Sequence, residues 1–201
     1  MPGGGNAVRA FIAIDLPEDT RQALSRATGG LRTVAERGVR WVDSRNLHLT
    51  LKFLGDVPLG KLDPIQHVLM ETASKRVPFT VQPDGLGSFP PRGRPRVIWV
   101  GIHPPEDLAA LAKDLEQRLI PLGFAAEARP FAAHMTIGRV RDDIQPMEIK
   151  AMQMALSARS AEEFTPFEVR AVHLYRSQLR PSGAVYTRLF SAPLSGYNQM
   201  E

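Results

Sequence analysis

Two short motifs in this chain each place a threonine two residues after a histidine. They are His48-Leu49-Thr50 and His134-Met135-Thr136. Only five histidines occur among the 201 residues, so two such motifs in similar apolar surroundings are a moderately specific signal. An imidazole has an unperturbed pKa of about 6.5 and can give or take a proton near neutral pH. Two imidazoles with two hydroxyls are therefore suited to general acid–base chemistry on a bound phosphate.

Both motifs lie in apolar runs that predict β-strands. Successive side chains of a strand point to opposite faces, so each histidine shares a face with the threonine of its own motif. The aliphatic residues between and beside them point the other way. Each strand is therefore expected to have an apolar side for packing and a polar side with one imidazole and one hydroxyl. Half-buried histidines with a purely structural role are the alternative.

A metal site is the main competing chemistry. Two histidines are too few ligands for zinc, but Asp43 and Asp56 lie near the first motif and keep this alternative open. The chain contains no cysteine, which excludes disulfides, thiolate zinc sites, iron–sulfur clusters and a cysteine nucleophile. It also lacks the glycine-rich motifs that bind nucleoside triphosphates or dinucleotides.

The elements that must position the motifs alternate between strands and helices. Several strands are joined by connections too short for parallel crossovers, which favours an α+β fold with mostly antiparallel sheets. The repeated motif indicates two lobes of similar build. Strands are predicted over 8–15, 39–42, 47–54, 79–82, 96–102, 131–140, 165–175 and 184–190. Helices are predicted after Pro17 and over 58–76, 106–122 and 146–158, with a loop at 85–95 and a turn at 181–183.

The formal net charge of +4 is a mild basic excess that suits a phosphate-bearing partner. No apolar run approaches the roughly 20 residues that span a bilayer. The first residues lack the charged and apolar regions of a signal peptide. The sequence therefore predicts a cytoplasmic protein with no membrane partner.

The chain resembles the 2H phosphoesterase superfamily, and within it the 2′,5′ RNA ligase family, also described as RNA 2′,3′-cyclic phosphodiesterases. The resemblance extends over nearly the whole chain. It rests on both motifs in order and on the segments 9–16 (RAFIAIDL), 46–55 (NLHLTLKFLG), 87–90 (GSFP), 133–139 (AHMTIGR) and 174–177 (LYRS), with Tyr186.

The resemblance implies a bilobal fold, in which two similar lobes enclose a cleft with one motif on each wall. It implies hydrolysis of a terminal 2′,3′-cyclic phosphate on RNA to a 2′-phosphate, with no metal or other cofactor. It also implies slow, reversible, ATP-independent joining of RNA ends through 2′–5′ linkages. We expect residues 1–201 to form a single bilobal domain, monomeric, with a flexible tail at 1–6.

The resemblance also assigns roles within the site. His48 and His134 are the catalytic residues, with His134 as the base for water and His48 as the acid for the 3′ oxygen. Thr50 and Thr136 bind phosphate oxygens.

Four further residues are predicted to contact the substrate. Lys52 shares strand parity with His48, and Phe53 can stack on a base. Arg176 ends a strand where it can contact phosphate. Arg139 points away from its motif on strict parity, but a bulge at the preceding glycine would re-aim it. The alternatives are core packing for Phe53 and a solvated surface role for the charged residues.

An arginine-rich loop adds to the basic character of the chain. Arg92, Arg94 and Arg96 fall within five residues, where like charges repel unless an anion lies between them. The loop therefore favours an RNA partner, with a merely solvated loop as the alternative.

Three functions remain open. The first is the RNA-end phosphodiesterase that the resemblance implies. The second is a module that binds nucleotides or RNA ends without significant turnover, and the third is a cyclic phosphodiesterase for small molecules. Two complete motifs favour an enzyme over a binding module.

Overall fold

The computed structural model describes residues 6–180 and 183–196. The tail predicted at 1–6 lies almost entirely outside these residues, as do positions 181 and 182 of the predicted turn. In the part that is described, no helix is long and apolar enough to cross a membrane.

The described residues form nine strands and five α-helices. The strands are β1 (Ala7–Asp15), β2 (Val39–Trp41), β3 (His48–Pro58), β4 (Phe79–Phe89), β5 (Val97–His103), β6 (His134–Val140), β7 (Phe167–Val169), β8 (Ala171–Arg180) and β9 (Gly183–Pro193). The helices are α1 (Glu18–Ala27), α2 (Gly29–Val34), α3 (Leu62–Ser74), α4 (Glu106–Leu119) and α5 (Pro146–Ser157).

The strands form two sheets, and every pairing is antiparallel. Sheet one has the order β3-β1-β8-β9, and sheet two has the order β2-β6-β5-β4-β7. All named pairs run antiparallel. The predicted α+β class with antiparallel sheets is therefore confirmed.

Each sheet combines strands from both halves of the chain. In the first half β1 pairs with β3, and in the second half β5 pairs with β6. A later strand of each half crosses to the other sheet, so that β4 pairs with β5 and β8 pairs with β1. This strand exchange gives β3 and β6 equivalent positions in different sheets, and neither half completes a sheet by itself.

The helices cover one face of each sheet. Helices α3 and α4 pack together against sheet one, and α5 packs against β4 and α2 at sheet two. The leucines predicted to line one side of α4 are all buried, namely Leu108, Leu111, Leu115 and Leu119. Because burying such side chains stabilises a fold by about 1.5–3 kcal/mol each, these contacts hold the helix against the sheet.

Strand β4 continues through part of the segment predicted to be a loop. Gly85 has a φ of +66°, and the pairing register shifts beside it. At Gly87 a Cβ atom would lie 2.3 Å from the Trp99 ring, so only glycine allows the indole to lie against the strand. Glycine, which weakens strands in general, is here required by close packing.

Both motif strands contain a β-bulge at the third residue after the histidine. In β3, Thr50 pairs with Ala13 and Lys52 with Ile12, which leaves Leu51 without a partner. In β6, Thr136 pairs with Trp99 and Gly138 with Ile98, which leaves Ile137 without a partner. An extra residue on one strand reverses the alternation of faces beyond it.

Candidate active site

The two motif histidines lie at equivalent places on the two sheets. His48 begins β3 of sheet one and His134 begins β6 of sheet two. Strands β3 and β6 contact each other, so the motif faces border one cleft. The charge of His134 lowers the pKa of His48, which shows that the imidazoles share an electrostatic environment.

Both imidazoles are oriented by the same hydrogen bond. Nδ1 of His48 lies 2.7 Å from the carbonyl oxygen of Asn46, and Nδ1 of His134 lies 2.7 Å from that of Ala132. A carbonyl oxygen can only accept, so Nδ1 is the protonated nitrogen of each ring. In each ring Nε2 is therefore left to accept or donate a proton in the cleft.

Aromatic rings support both histidines. The Phe11 ring lies 4.8 Å from the ring of His48, and Tyr186 meets the same imidazole edge-on at 5.2 Å. Phe89 meets His134 edge-on at 5.0 Å. These contacts restrict ring rotation, which keeps Nε2 in a fixed direction.

The environment of His48 favours its neutral form. Burial lowers the pKa of this imidazole below that of an exposed histidine, and the positive charges of Arg139 and His134 lower it further. The hydrogen bond to Asn46 and the negative charge of Asp15 act in the opposite direction. A bound phosphate anion would add to the effect of Asp15 and favour protonation.

We predict that His48 titrates below pH 6.5, the value typical of exposed histidine, because burial disfavours the imidazolium. Asp15→Asn should move the midpoint lower, and Arg139→Gln should move it higher. NMR titration of the imidazole C–H resonances measures these shifts. A midpoint that responds to neither substitution would show that these charges do not act on His48.

The motif threonines lie on the same faces as their histidines. Thr50 and Thr136 are half-buried, and the structure shows no hydrogen bond from either hydroxyl to another described residue. Both hydroxyls are therefore free to bind an oxygen of a ligand in the cleft.

Lys52 does not line the cleft, which corrects the prediction from strand parity. The bulge at Leu51 turns Lys52 to the helix-covered face, where it is only 4% exposed. Its Nζ donates to Glu116 at 2.9 Å and to the carbonyl oxygen of Ala125 at 2.7 Å. Lys52 therefore ties sheet one to α4 and to the segment that follows it.

Replacing Lys52 with methionine should destabilise the fold and leave the site intact. The substitution removes charged hydrogen bonds and leaves Glu116 without its cationic partner, with only the Glu127 backbone N–H still bound to it, a loss of about 2–3 kcal/mol. Denaturant unfolding measures this change, and activity at a temperature where the variant is folded should stay near wild type. A loss of activity in the folded variant would show that Lys52 does contribute to the site.

The same bulges bring two other predicted residues onto the motif faces. Phe53 pairs with Phe11 and Arg139 pairs with Val97, so both lie on the face of their motif. Phe53 is 44% exposed, and the Arg9 guanidinium lies 4.6 Å from its ring centre. Core packing is therefore wrong for Phe53. Phe53 and Arg139 both follow their histidine by five residues and are structural counterparts.

Arg176 is not brought to the cleft. It pairs with Ala10 on β1, whereas its neighbour Tyr175 pairs with Phe11 on the motif face. Arg176 is thus exposed on the opposite face of sheet one. In the arginine-rich loop, Arg94 hydrogen-bonds to the carbonyl oxygens of Arg141 and Asp142 after β6, so the loop packs beside sheet two.

A second polar cluster adjoins His48 and is missed by sequence reasoning. The Tyr175 hydroxyl donates to Asp15 at 2.7 Å, and Arg188 also hydrogen-bonds to this carboxylate. These residues line a cavity of about 340 Å³ together with His48 and Tyr186. Alternation of Ala184, Tyr186 and Arg188 along β9 is the one signal that could have placed Arg188 on this face.

Asp43 and Asp56, the carboxylates considered as metal ligands, do not join the motif histidines. Asp43 is bound to Arg45, which lowers its pKa to about 2. Asp56 pairs with Arg9 of β1. It follows His48 by eight residues on β3, which is about 26 Å along the strand. Across 6–180 and 183–196, histidine, aspartate and glutamate side chains form no group of three suited to a metal ion.

A family model agrees with this arrangement. The model described as LigT like Phosphoesterase matches the chain twice, over residues 14–99 and 100–186. Each match contains one of the two motifs, and together they cover most of the chain.

Curated relatives and solved structures point the same way. The RNA 2′,3′-cyclic phosphodiesterase of Methanothermobacter thermautotrophicus is 37% identical over 90% of this chain and 95% of its own length. The RNA 2′,3′-cyclic phosphodiesterase of Archaeoglobus fulgidus is 36% identical over 90% of this chain and 98% of its own length. The crystal structure of TT0787 of Thermus thermophilus has a TM-score of 0.81 at 30% identity, covering 94% of this chain and 100% of that chain. E. coli LigT complexed with 3′-AMP has a TM-score of 0.74 at 27% identity, covering 94% and 99%.

Proposed function

The chain belongs to the family of LigT-like phosphoesterases, and from this premise we propose that it is an RNA 2′,3′-cyclic phosphodiesterase that leaves a 2′-phosphate. The observation that carries the proposal is the matched pair of histidines, each with Nδ1 on a carbonyl oxygen and Nε2 in a shared cleft. Two relatives named RNA 2′,3′-cyclic phosphodiesterase each align with 90% of the chain.

The proposed reaction needs one proton acceptor and one donor. Water attacks the phosphorus, an O–P bond forms, and the P–O3′ bond breaks on the opposite side. One Nε2 takes a proton from the water and the other gives a proton to O3′. The product carries a 2′-phosphate and a 3′-hydroxyl. Thr50, Thr136 and Arg139 would stabilise the phosphate oxygens as charge develops on them.

Two arguments bear on which histidine is the base and which is the acid, and they favour opposite assignments. The family resemblance makes His134 the base and His48 the acid. The burial of His48 favours the reverse in the free protein, because an imidazole with a lowered pKa is neutral and accepts a proton. We propose the first assignment for the substrate complex, where the phosphate anion and Asp15 favour imidazolium at His48.

The proposal extends to the joining of RNA ends. A 5′-hydroxyl of a second RNA can replace the attacking water, so that the cyclic phosphate becomes a 2′–5′ linkage when P–O3′ breaks. The same two histidines would serve both reactions. We also infer that residues 1–201 act as one domain, which the strand exchange between the sheets supports, and that this domain is a monomer.

The direct test is incubation with an oligonucleotide that ends in a 2′,3′-cyclic phosphate, with EDTA present. We expect hydrolysis to a 2′-phosphate, identified by mapping which hydroxyl retains the phosphate. Tight binding without turnover would instead support a binding module. Activity abolished by EDTA and restored by zinc or manganese would support a metal mechanism.

A further inference from the structure

Two arginines lie directly opposite each other on neighbouring strands of sheet two. Arg40 on β2 pairs with Arg139 on β6, and both side chains are exposed. Residues opposite each other in an antiparallel pair share a face. Because Arg139 lies on the face of His134 and Thr136, Arg40 lies on that face as well.

This arrangement is unfavourable unless an anion is present. Like charges opposite each other destabilise a sheet, and no carboxylate among residues 6–180 and 183–196 forms an ion pair with Arg40 or Arg139. The arginines of the cavity beside His48 differ, because Arg21, Arg45 and Arg188 each form an ion pair with an acidic residue. The Arg40–Arg139 pair, like Arg9 over Phe53, is thus a cationic part of the motif faces that no described carboxylate neutralises in an ion pair.

The pair extends away from the reacting position. Arg139 pairs with Val97 and Thr136 with Trp99, so Arg139 follows Thr136 on the motif face of β6, and its charge lowers the pKa of His48. Arg40 lies one strand further out, about 4.8 Å away in the sheet, on the edge strand β2. Both line a cavity of about 390 Å³, which also has Arg141, Asp142 and Asp143 on its walls.

We propose that Arg40, paired with Arg139, forms a subsite for the phosphodiester next to the terminal cyclic phosphate, so that the preferred substrate is an oligonucleotide rather than a single nucleotide. This inference rests on the proposed function. Arg139 contacts the reacting phosphate, and Arg40 contacts the adjacent one. The backbone of one RNA strand thereby relieves the repulsion between the two arginines.

The test compares two dinucleotides that end in a 2′,3′-cyclic phosphate and carry a 2′-O-methyl group on the upstream nucleotide. One has an ordinary phosphodiester between its nucleotides, and the other has an uncharged methylphosphonate. Wild type, Arg40→Gln and Arg40→Lys are compared, with Arg176→Gln as the matched control because that arginine is exposed on the opposite face of sheet one. A nucleoside 2′,3′-cyclic phosphate serves as the substrate without an adjacent phosphate.

We expect Arg40→Gln to lower kcat/KM for the charged dinucleotide about tenfold, mainly through KM. Turnover of the methylphosphonate dinucleotide and of the single nucleotide should not change, and Arg40→Lys should retain part of the effect. Arg40→Gln should melt at or above the wild-type temperature, because it removes a like-charge pair. Equal loss on all substrates, or no loss on any, would overturn the subsite.

Binding separates this inference from the proposed function. Dinucleotides that end in a 2′-phosphate can be titrated by fluorescence anisotropy whether or not the protein turns them over. Wild type should bind the charged form about tenfold more tightly than the methylphosphonate form, and Arg40→Gln should bind both alike. For the charged form, the slope of the logarithm of the binding constant against the logarithm of the salt concentration should be smaller by about 0.7 in Arg40→Gln than in wild type. Equal binding of both forms by wild type would overturn the subsite even if hydrolysis is observed. If wild type shows this charge-dependent binding but does not turn the substrate over, only the proposed enzyme function would be overturned.

Discussion

Replacing either motif histidine with alanine is expected to lower turnover of a 2′,3′-cyclic phosphate by at least about a hundredfold, the lower range for loss of a positioned acid or base. Each imidazole holds Nδ1 on a backbone carbonyl, so alanine removes the one group of the motif, Nε2, that is positioned to exchange a proton. Single-turnover rates of His48→Ala and His134→Ala measure the loss directly.

His67→Ala is the matched control for these variants. His67 is exposed on α3 and lies outside both motifs, so its loss should leave activity unchanged. Circular dichroism should show that all three variants fold, because the aliphatic face of each motif strand is untouched. Activity near wild type in His48→Ala or His134→Ala would disprove the two-histidine mechanism.

A substrate with a sulfur in place of the bridging 3′ oxygen is expected to restore most of the activity of one histidine variant and not of the other. A thiolate leaves without protonation, so the variant that lacks the general acid regains about a hundredfold, the factor the acid supplied. With His48 as the acid, His48→Ala recovers and His134→Ala stays inactive. Rates of thiol release measure both variants on the same substrate.

The reverse pattern would assign the acid role to His134. It would also agree with the burial of His48, which favours a neutral imidazole in the free protein. Recovery of neither variant would mean that the histidines act mainly by holding the phosphate.

Local alternation is sufficient to place the histidine and threonine of each motif on one face from the sequence. Within three residues, the period of a strand puts His48 with Thr50 and His134 with Thr136, as the structure shows. The same rule fails at the next residues, because an extra residue in each strand reverses the alternation. In β3 the bulged residue is leucine, an ordinary strand residue that does not reveal the change. In β6 the glycine predicted to form the bulge lies one residue after the bulged isoleucine, so residue type does signal the change there.

The remainder of the site depends on contacts between distant segments. Asp15 and Arg188 are 173 residues apart in the chain and meet only because β8 and β9 join sheet one beside β1. The position of Arg40 next to Arg139 likewise depends on the pairing of β2 with β6. A local pattern cannot specify such partners, whereas the amphipathic helix α4 follows from its leucine spacing alone.

The crossing of β4 and β8 between the sheets also determines when the protein can fold during its synthesis. Ala13 of β1 pairs with His173, which the ribosome adds 160 residues later. At about 5–20 residues per second, the nascent chain waits roughly 8–32 s with this edge of β1 unpaired. An open strand edge is a template for pairing with other chains. Synthesis at least through His173 is therefore required before β1 gains this partner, and chaperone protection of the growing chain matters most in that interval.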